Sequence, residues 1–140
     1  MNWAAQASDR LDAAGYRDGR ARRQVVDLLA DADCALTALE IDRRIESVGR
    51  ASVYRTLDRL EQLQLIQRVE VGGDATGYER VDPHAHHHHL VCRECGRLSP
   101  FTSEALEQAI AAVGRDAGFA LASHDVVLRG ACPDCGGDGA

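Results

Sequence analysis

SVYRTLDRLEQLQLIQRVEVGGDATGYERV, residues 52–81, changes its apolar rhythm halfway along. Val53, Leu57, Leu60 and Leu63 recur at helical spacing, which predicts a helix from about Ser52 to Gln64 with those side chains buried. QRVEV and GYERV then flank a GGDATG turn and read as a two-stranded hairpin. Opposite the buried stripe the helix presents Ser52, Tyr54, Arg55 and Arg59.

Upstream, residues 2–14 and 20–32 read as helices, the second with Val25, Val26, Leu28 and Leu29 as its buried stripe. Gly15 and Gly19 punctuate the gap between them. Thr37, with Glu40 three residues on, is a capping box for a short helix carrying Leu39, Ile41 and Ile45, which Gly49 is expected to break. Three short helices and then a hairpin form the pattern of a winged helix-turn-helix, whose last helix lies in the major groove with its N-terminal residues at base edges. The same pattern occurs in unrelated small domains, so by itself it leaves DNA binding open.

The charge has to be met locally. The net charge is −6, yet all 16 basic residues are arginines and 12 of them precede residue 82. They gather as Arg17, Arg20, Arg22 and Arg23 against Asp18, and as Arg43, Arg44, Arg50, Arg55 and Arg59 against Glu46 and Asp58. Guanidinium forks match phosphates and guanine edges, and a local basic face lets an acidic protein bind DNA. Solvated helix faces are the competing explanation. Aromatics at 4% argue against a stacking platform for single strands. No run approaches the roughly 20 apolar residues of a membrane span, and MNWAAQASDRLDAAG does not read as a secretory signal. The expected location is the cytoplasm, where five cysteines in CxxC spacing are metal ligands or redox groups sooner than disulfides.

The length suits one domain or two small ones, and the fold class expected is α+β. The winged helix-turn-helix is assigned to residues 1–81, a hinge containing Pro83 to 82–88, and a small α/β domain to 89–140. In the last, HHLVC and RLSPF read as strands, 103–116 as a helix and ALASHDVVLRG as a long strand. So short a segment needs a staple or a partner. Cys92-x-x-Cys95-Gly and Cys132-x-x-Cys135-Gly supply one: each knuckle turns two thiolates toward one centre, and four sulfurs leave no open position. The site reads as structural zinc, with a rubredoxin-like iron centre and four free thiols as alternatives. His86, His87, His88 and His89 run into the LVC strand, where alternation sends His86 and His88 one way and His87 and His89 the other. One segment then supplies two ligands to each of two ions, unless it is a solvated strand end. Glu107 and His124 are candidates to complete one site, although a lone histidine among apolar residues is more often a satisfied core group. Glu79, Asp82 and His84 are candidates for the other, and Cys34 reads as a small buried apolar residue.

ASVYRTLDRL, HHHHLVCRECG, Glu107, GFALASHDVVLRG and CPDCG, with their spacing, resemble the ferric uptake regulator family of bacterial metalloregulators from about Ala14 to Gly136. The resemblance implies a homodimer of winged-helix domains joined through C-terminal dimerisation domains, in which metal sets the separation of the DNA-reading helices. It implies structural zinc on Cys92, Cys95, Cys132 and Cys135, and a dimerisation-domain metal site of His86, His88, Glu107 and His124. It further implies a hinge sensory site containing Glu79, His87 and His89, and DNA contacts by Tyr54, Arg55, Arg17 and Arg22. Ala35 stands where the family usually has a hinge histidine, and the resemblance makes neighbouring Cys34 the candidate to replace it. The third residue of the histidine run and Pro100 both stand where iron and peroxide sensors place carboxylates. Losing hard oxygen donors favours zinc, as in a zinc uptake regulator, over iron(II) or manganese(II). Gly19 replaces a threonine usual ahead of the second helix.

The function expected is therefore a metal-dependent transcriptional repressor of metal uptake genes, holding structural Zn2+ and regulatory Zn2+ or another divalent transition metal. Its partners would be a second copy and double-stranded palindromic operator DNA, with no membrane. Iron-, nickel- or peroxide-responsive regulators are the alternatives within the family, and a zinc-ribbon interaction module or metal buffer the alternative outside it. An enzyme is not expected. Zinc deaminases need H-x-E and P-C-x-x-C, and this chain has C-P-D-C and no H-x-E.

Overall fold

The Asn2 side chain caps the first helix by accepting a hydrogen bond from the Ala5 N–H at 2.8 Å. The structure, a computed structural model, describes residues 2–46, 48–72, 75–81 and 86–136. Two units divide at Pro83 and His84.

In the first unit, α1 (Trp3–Ala13), α2 (Arg20–Asp31), α3 (Ala38–Arg44) and α4 (Arg50–Gln62) surround one apolar cluster. Ala7, Leu11, Val25, Leu29, Ile41, Val53, Leu57 and Leu60 meet there from all four helices, which is what the helical spacing of those residues dictates. The hairpin of β2 (Ile66–Gly72) and β3 (Ala75–Arg80) closes the cluster with Ile66 and Tyr78, and the two-residue β1 (Leu36–Thr37) pairs with β3. The resulting antiparallel sheet has the order β1-β3-β2. The Trp3 indole donates to the Leu65 carbonyl at 3.2 Å, tying α1 to the strand entrance.

Several sequence boundaries move. Thr37 does cap α3, accepting from the Glu40 N–H at 3.1 Å, but α3 ends at Arg44 because Ile45 turns extended to enter the core. Gly49 is the N-cap of α4 rather than the breaker of α3, so α4 starts at Arg50, ahead of Ser52. Ala75, Thr76 and Gly77, expected in the turn, pair with β2.

The second unit contains β4 (His88–Cys92), β5 (Leu98–Phe101), α5 (Glu104–Ala117), β6 (Val127–Gly130) and the one-turn α6 (Pro133–Gly136). The order is β5-β4-β6, with β5 antiparallel and β6 parallel to β4. Ser103 caps α5 by accepting from the Leu106 N–H at 3.2 Å. The long strand expected over 120–130 is a correction: only Val127–Gly130 joins the sheet. Val127 lies opposite His89, and β4 begins one residue earlier, so residues before 127 have almost no strand to pair with. The unit buries few apolar residues of its own, chiefly Val91 and Cys92, while Leu90, Val113, Phe119, Leu121 and Leu128 remain exposed. The chain is an α+β protein: a winged helix-turn-helix unit followed by an α/β unit with a four-cysteine cluster. No helix among the described residues is long and apolar enough to cross a membrane.

Candidate metal centres and arginine face

The parallel pairing of β4 with β6 sets Cys92 opposite Gly130, so both knuckles emerge at one end of the sheet. After Cys92 the chain turns through Cys95 to Gly96, whose φ of 78° lets it double back. After β6, α6 brings Cys135 round to Cys132, with Cys135 N–H donating to the Cys132 carbonyl at 3.0 Å. All four Sγ atoms lie within 4.8 Å of one another. The Cys95 and Cys132 sulfurs stand 3.9 Å apart, far beyond a disulfide of about 2.05 Å. That gap matches the roughly 3.8 Å edge of a tetrahedron built on 2.3 Å zinc–sulfur bonds. Backbone N–H groups of Cys95 (3.5 Å) and Cys132 (3.3 Å) point at the Cys92 sulfur. They favour its thiolate and lower its pKa to about 6. The Cys135 thiol is pushed up to about 12 by hydrogen bonds with the Cys132 and Cys95 sulfurs, which disfavour a further negative charge. Four convergent sulfurs that resist simultaneous ionisation fit a divalent cation.

Glu107, on the first turn of α5, joins a second cluster. Its Oε1 lies 2.6 Å from His88 Nε2 and 3.4 Å from His86 Nε2, and its Oε2 lies 2.6 Å from His124 Nε2. The His86, His88 and His124 rings are mutually 4.6 to 5.2 Å apart by centroid. His88 is 1% exposed, which only a paired imidazole tolerates. Its hydrogen bond, then that of His124, holds the Glu107 carboxyl below the usual range. Three imidazoles and one carboxylate make a nitrogen-rich donor set for a transition metal.

The other two histidines of the run pair with each other, ring centroids 4.9 Å apart, with His89 buried and His87 half-buried. Though β4 starts only at His88, the alternation of side chains reaches back through His86. In the first unit, the Cys34 sulfur and a Glu79 carboxylate oxygen lie within 4.8 Å of each other. Cys34 is half-buried and Glu79 buried on β3. Gln67 Nε2 donates to Glu79 Oε1 at 2.8 Å, a contact the sequence reading missed; the hairpin register, which sets Gln67 opposite Glu79, is the signal that reveals it. Asp82 and His84 lie outside the described residues.

On α4, Tyr54 and Arg55 are exposed, Ser52 is half-buried, and Arg59 lies over the Tyr16 ring at 4.5 Å. Arg17 is exposed. Arg22, expected at DNA, lies inside the fold. It is 7% exposed and its guanidinium donates inward to the Ser8 carbonyl (2.9 Å), the Tyr16 carbonyl (3.1 Å) and Asp12 (2.7 Å). Both Nη atoms are thus bonded within the fold, and Nε lies buried without a hydrogen-bond partner among the described residues.

A sequence model of the ferric uptake regulator family matches residues 13–129. The zinc uptake regulation protein of Mycobacterium tuberculosis is 35% identical over 129 residues, covering 89% of this chain and 98% of its own. The ferric uptake regulation protein of Campylobacter jejuni is 35% identical over 89 residues, 64% of this chain, and the match spans 56% of that relative's length. The structure of the Helicobacter pylori ferric uptake regulator, for which three functional metal binding sites are described, superposes with a TM-score of 0.81 at 26% identity. That likeness covers 94% of this chain and 93% of the other.

Proposed function

The chain belongs to the ferric uptake regulator family, and on that premise we propose that it is a homodimeric, zinc-responsive repressor that reads palindromic operator DNA in the cytoplasm. It is a regulator and not an enzyme. Residues 1–81 read DNA, 82–88 act as the hinge, and 89–140 carry the structural zinc and the dimer contact. Tyr54 and Arg55 face the bases, with Ser52, Arg59 and Arg17 on the surrounding backbone.

The split of the histidine run carries this reading. His86 and His88 converge on Glu107 and His124, while His87 and His89 pair separately. Two imidazoles on the second unit, and a thiol with a carboxylate on the first, are each too few for a four-coordinate ion. The sensory zinc ion is assigned to Cys34, Glu79, His87 and His89. Glu79 is kept in place for this by Gln67, His89 by its position within β4, and His87 by directly preceding that strand. One thiolate, two imidazoles and a single carboxylate favour zinc over iron(II) or manganese(II). The exposed Val113, Phe119 and Leu121, and the recess of about 250 Å³ that Leu90 and Leu128 help to line, support a dimer contact on the second unit.

Titrating a duplex selected by the protein, under chelator-buffered zinc, tests the reading. Operator affinity should rise about 5–150-fold as zinc fills the hinge site, the range of typical coupling energies. Affinity that stays flat across the zinc range ends the proposal, and a larger response to iron(II), manganese(II) or nickel(II) reassigns the sensed metal. Replacing Tyr54 and Arg55 by alanine should abolish DNA binding with metal content intact. A metal buffer would not notice that change.

A further inference from the structure

Gly15, at φ 86°, closes α1. The Gly15 N–H bonds the Asp12 carbonyl at 3.0 Å and the Tyr16 N–H bonds the Leu11 carbonyl at 3.1 Å, so Tyr16 is fixed at the helix end. Its carbonyl accepts from Arg22 Nη1 at 3.1 Å, and Arg22 is itself anchored on Ser8 and Asp12. The ring packs half-buried against the core. Tyr16 is thus held by its own backbone, by a buried guanidinium and by apolar contact.

On this ring rests the Arg59 guanidinium, its carbon 4.5 Å from the centroid. Arg59 stands on α4, the helix that presents Tyr54 and Arg55 to solvent. Among the described residues no carboxylate forms an ion pair with it. An aromatic face attracts a cation without consuming its in-plane N–H donors, whereas a carboxylate would occupy them. The ring removes most of the rotamer freedom an exposed arginine would otherwise lose on binding. Arg17, next in sequence to Tyr16, is exposed.

We propose that Tyr16 is a positioning residue that aims Arg59 at a backbone phosphate beside the bases read by α4, with Arg22 acting one step further back as the clamp on Tyr16. This rests on α4 being the DNA-reading helix.

The test is a double-mutant cycle on the full, zinc-loaded chain and a duplex selected by the wild-type protein, measured across a salt series. Tyr16→Leu keeps apolar bulk against the core and removes the π face, while Tyr16→Phe keeps both. Tyr16→Leu should weaken binding about two- to fivefold, the fold-change to which an exposed cation–aromatic attraction converts. Arg59→Ala should flatten the salt dependence by about one phosphate contact. The two changes together should be no worse than Arg59→Ala alone, and Tyr16→Phe should match wild type. Thermal melting and metal content should stay level throughout. Full additivity of the two changes, or undiminished affinity in Tyr16→Leu, overturns the proposal. If the wild-type chain selects no duplex at all, the reading of α4 fails first and this inference falls with it.

Discussion

Gln64 has a φ of 59°, the one left-handed residue other than glycine among the described residues. It closes α4 in the manner usually left to glycine: its N–H bonds the Glu61 carbonyl at 2.9 Å and the Leu65 N–H bonds the Leu60 carbonyl at 2.9 Å. A side chain in that conformation costs about 1–2 kcal/mol. Gln64→Gly relieves this cost but gives the unfolded chain about 0.4–1 kcal/mol more freedom. The variant should therefore gain roughly 0.5–1 kcal/mol in stability, read from its denaturation midpoint. A midpoint that falls would mean the glutamine side chain makes a compensating contact. The same scale separates arginines that composition treats alike, because Arg22 is internal to the fold whereas Arg17 and Arg55 are exposed.

Among the elements, the two knuckles at the end of β4 and β6 do the work of a core. The second unit buries so few apolar side chains that the ordering of β4, β5, α5 and β6 needs the cage as a cross-link. Stripping metal with a strong chelator should collapse the amide signals of 86–136 while those of α1 to α4, which have their own apolar cluster, persist. Persistence of both sets would show that the cage adds nothing to folding. The pH dependence has a definite sign. The Cys135 thiol, pushed up to about 12 without metal, is protonated near neutrality and must release that proton to bind. Metal affinity should accordingly fall as pH drops and rise as it climbs, measurable by competition with a chromophoric chelator.

For the whole molecule, the unpartnered apolar surface of the second unit is the feature that a single copy leaves unresolved. Phe119 is 71% and Val113 67% exposed. Burying a large apolar side chain contributes about 1.5–3 kcal/mol, and a two-fold interface counts it twice. Val113→Glu with Phe119→Glu should therefore weaken self-association at least about 100-fold, read by sedimentation. An unchanged sedimentation profile would move the interface elsewhere.

Periodicity and capping made α1 to α5, the hairpin, β4 and β5 legible, because each depends on spacing within a few residues. The paired CxxC spacing likewise announced a sulfur cage, since the chemistry is written in the ligands themselves. What the chain's order does not contain is which side chains meet across elements. The inward turn of Arg22, the Gln67 grip on Glu79, the Tyr16 ring beneath Arg59, and the strand pairing that stops at Val127 all arise from packing between distant segments. Local sequence sets what each element is; only the folded arrangement decides which donors are used internally and which are left for a partner.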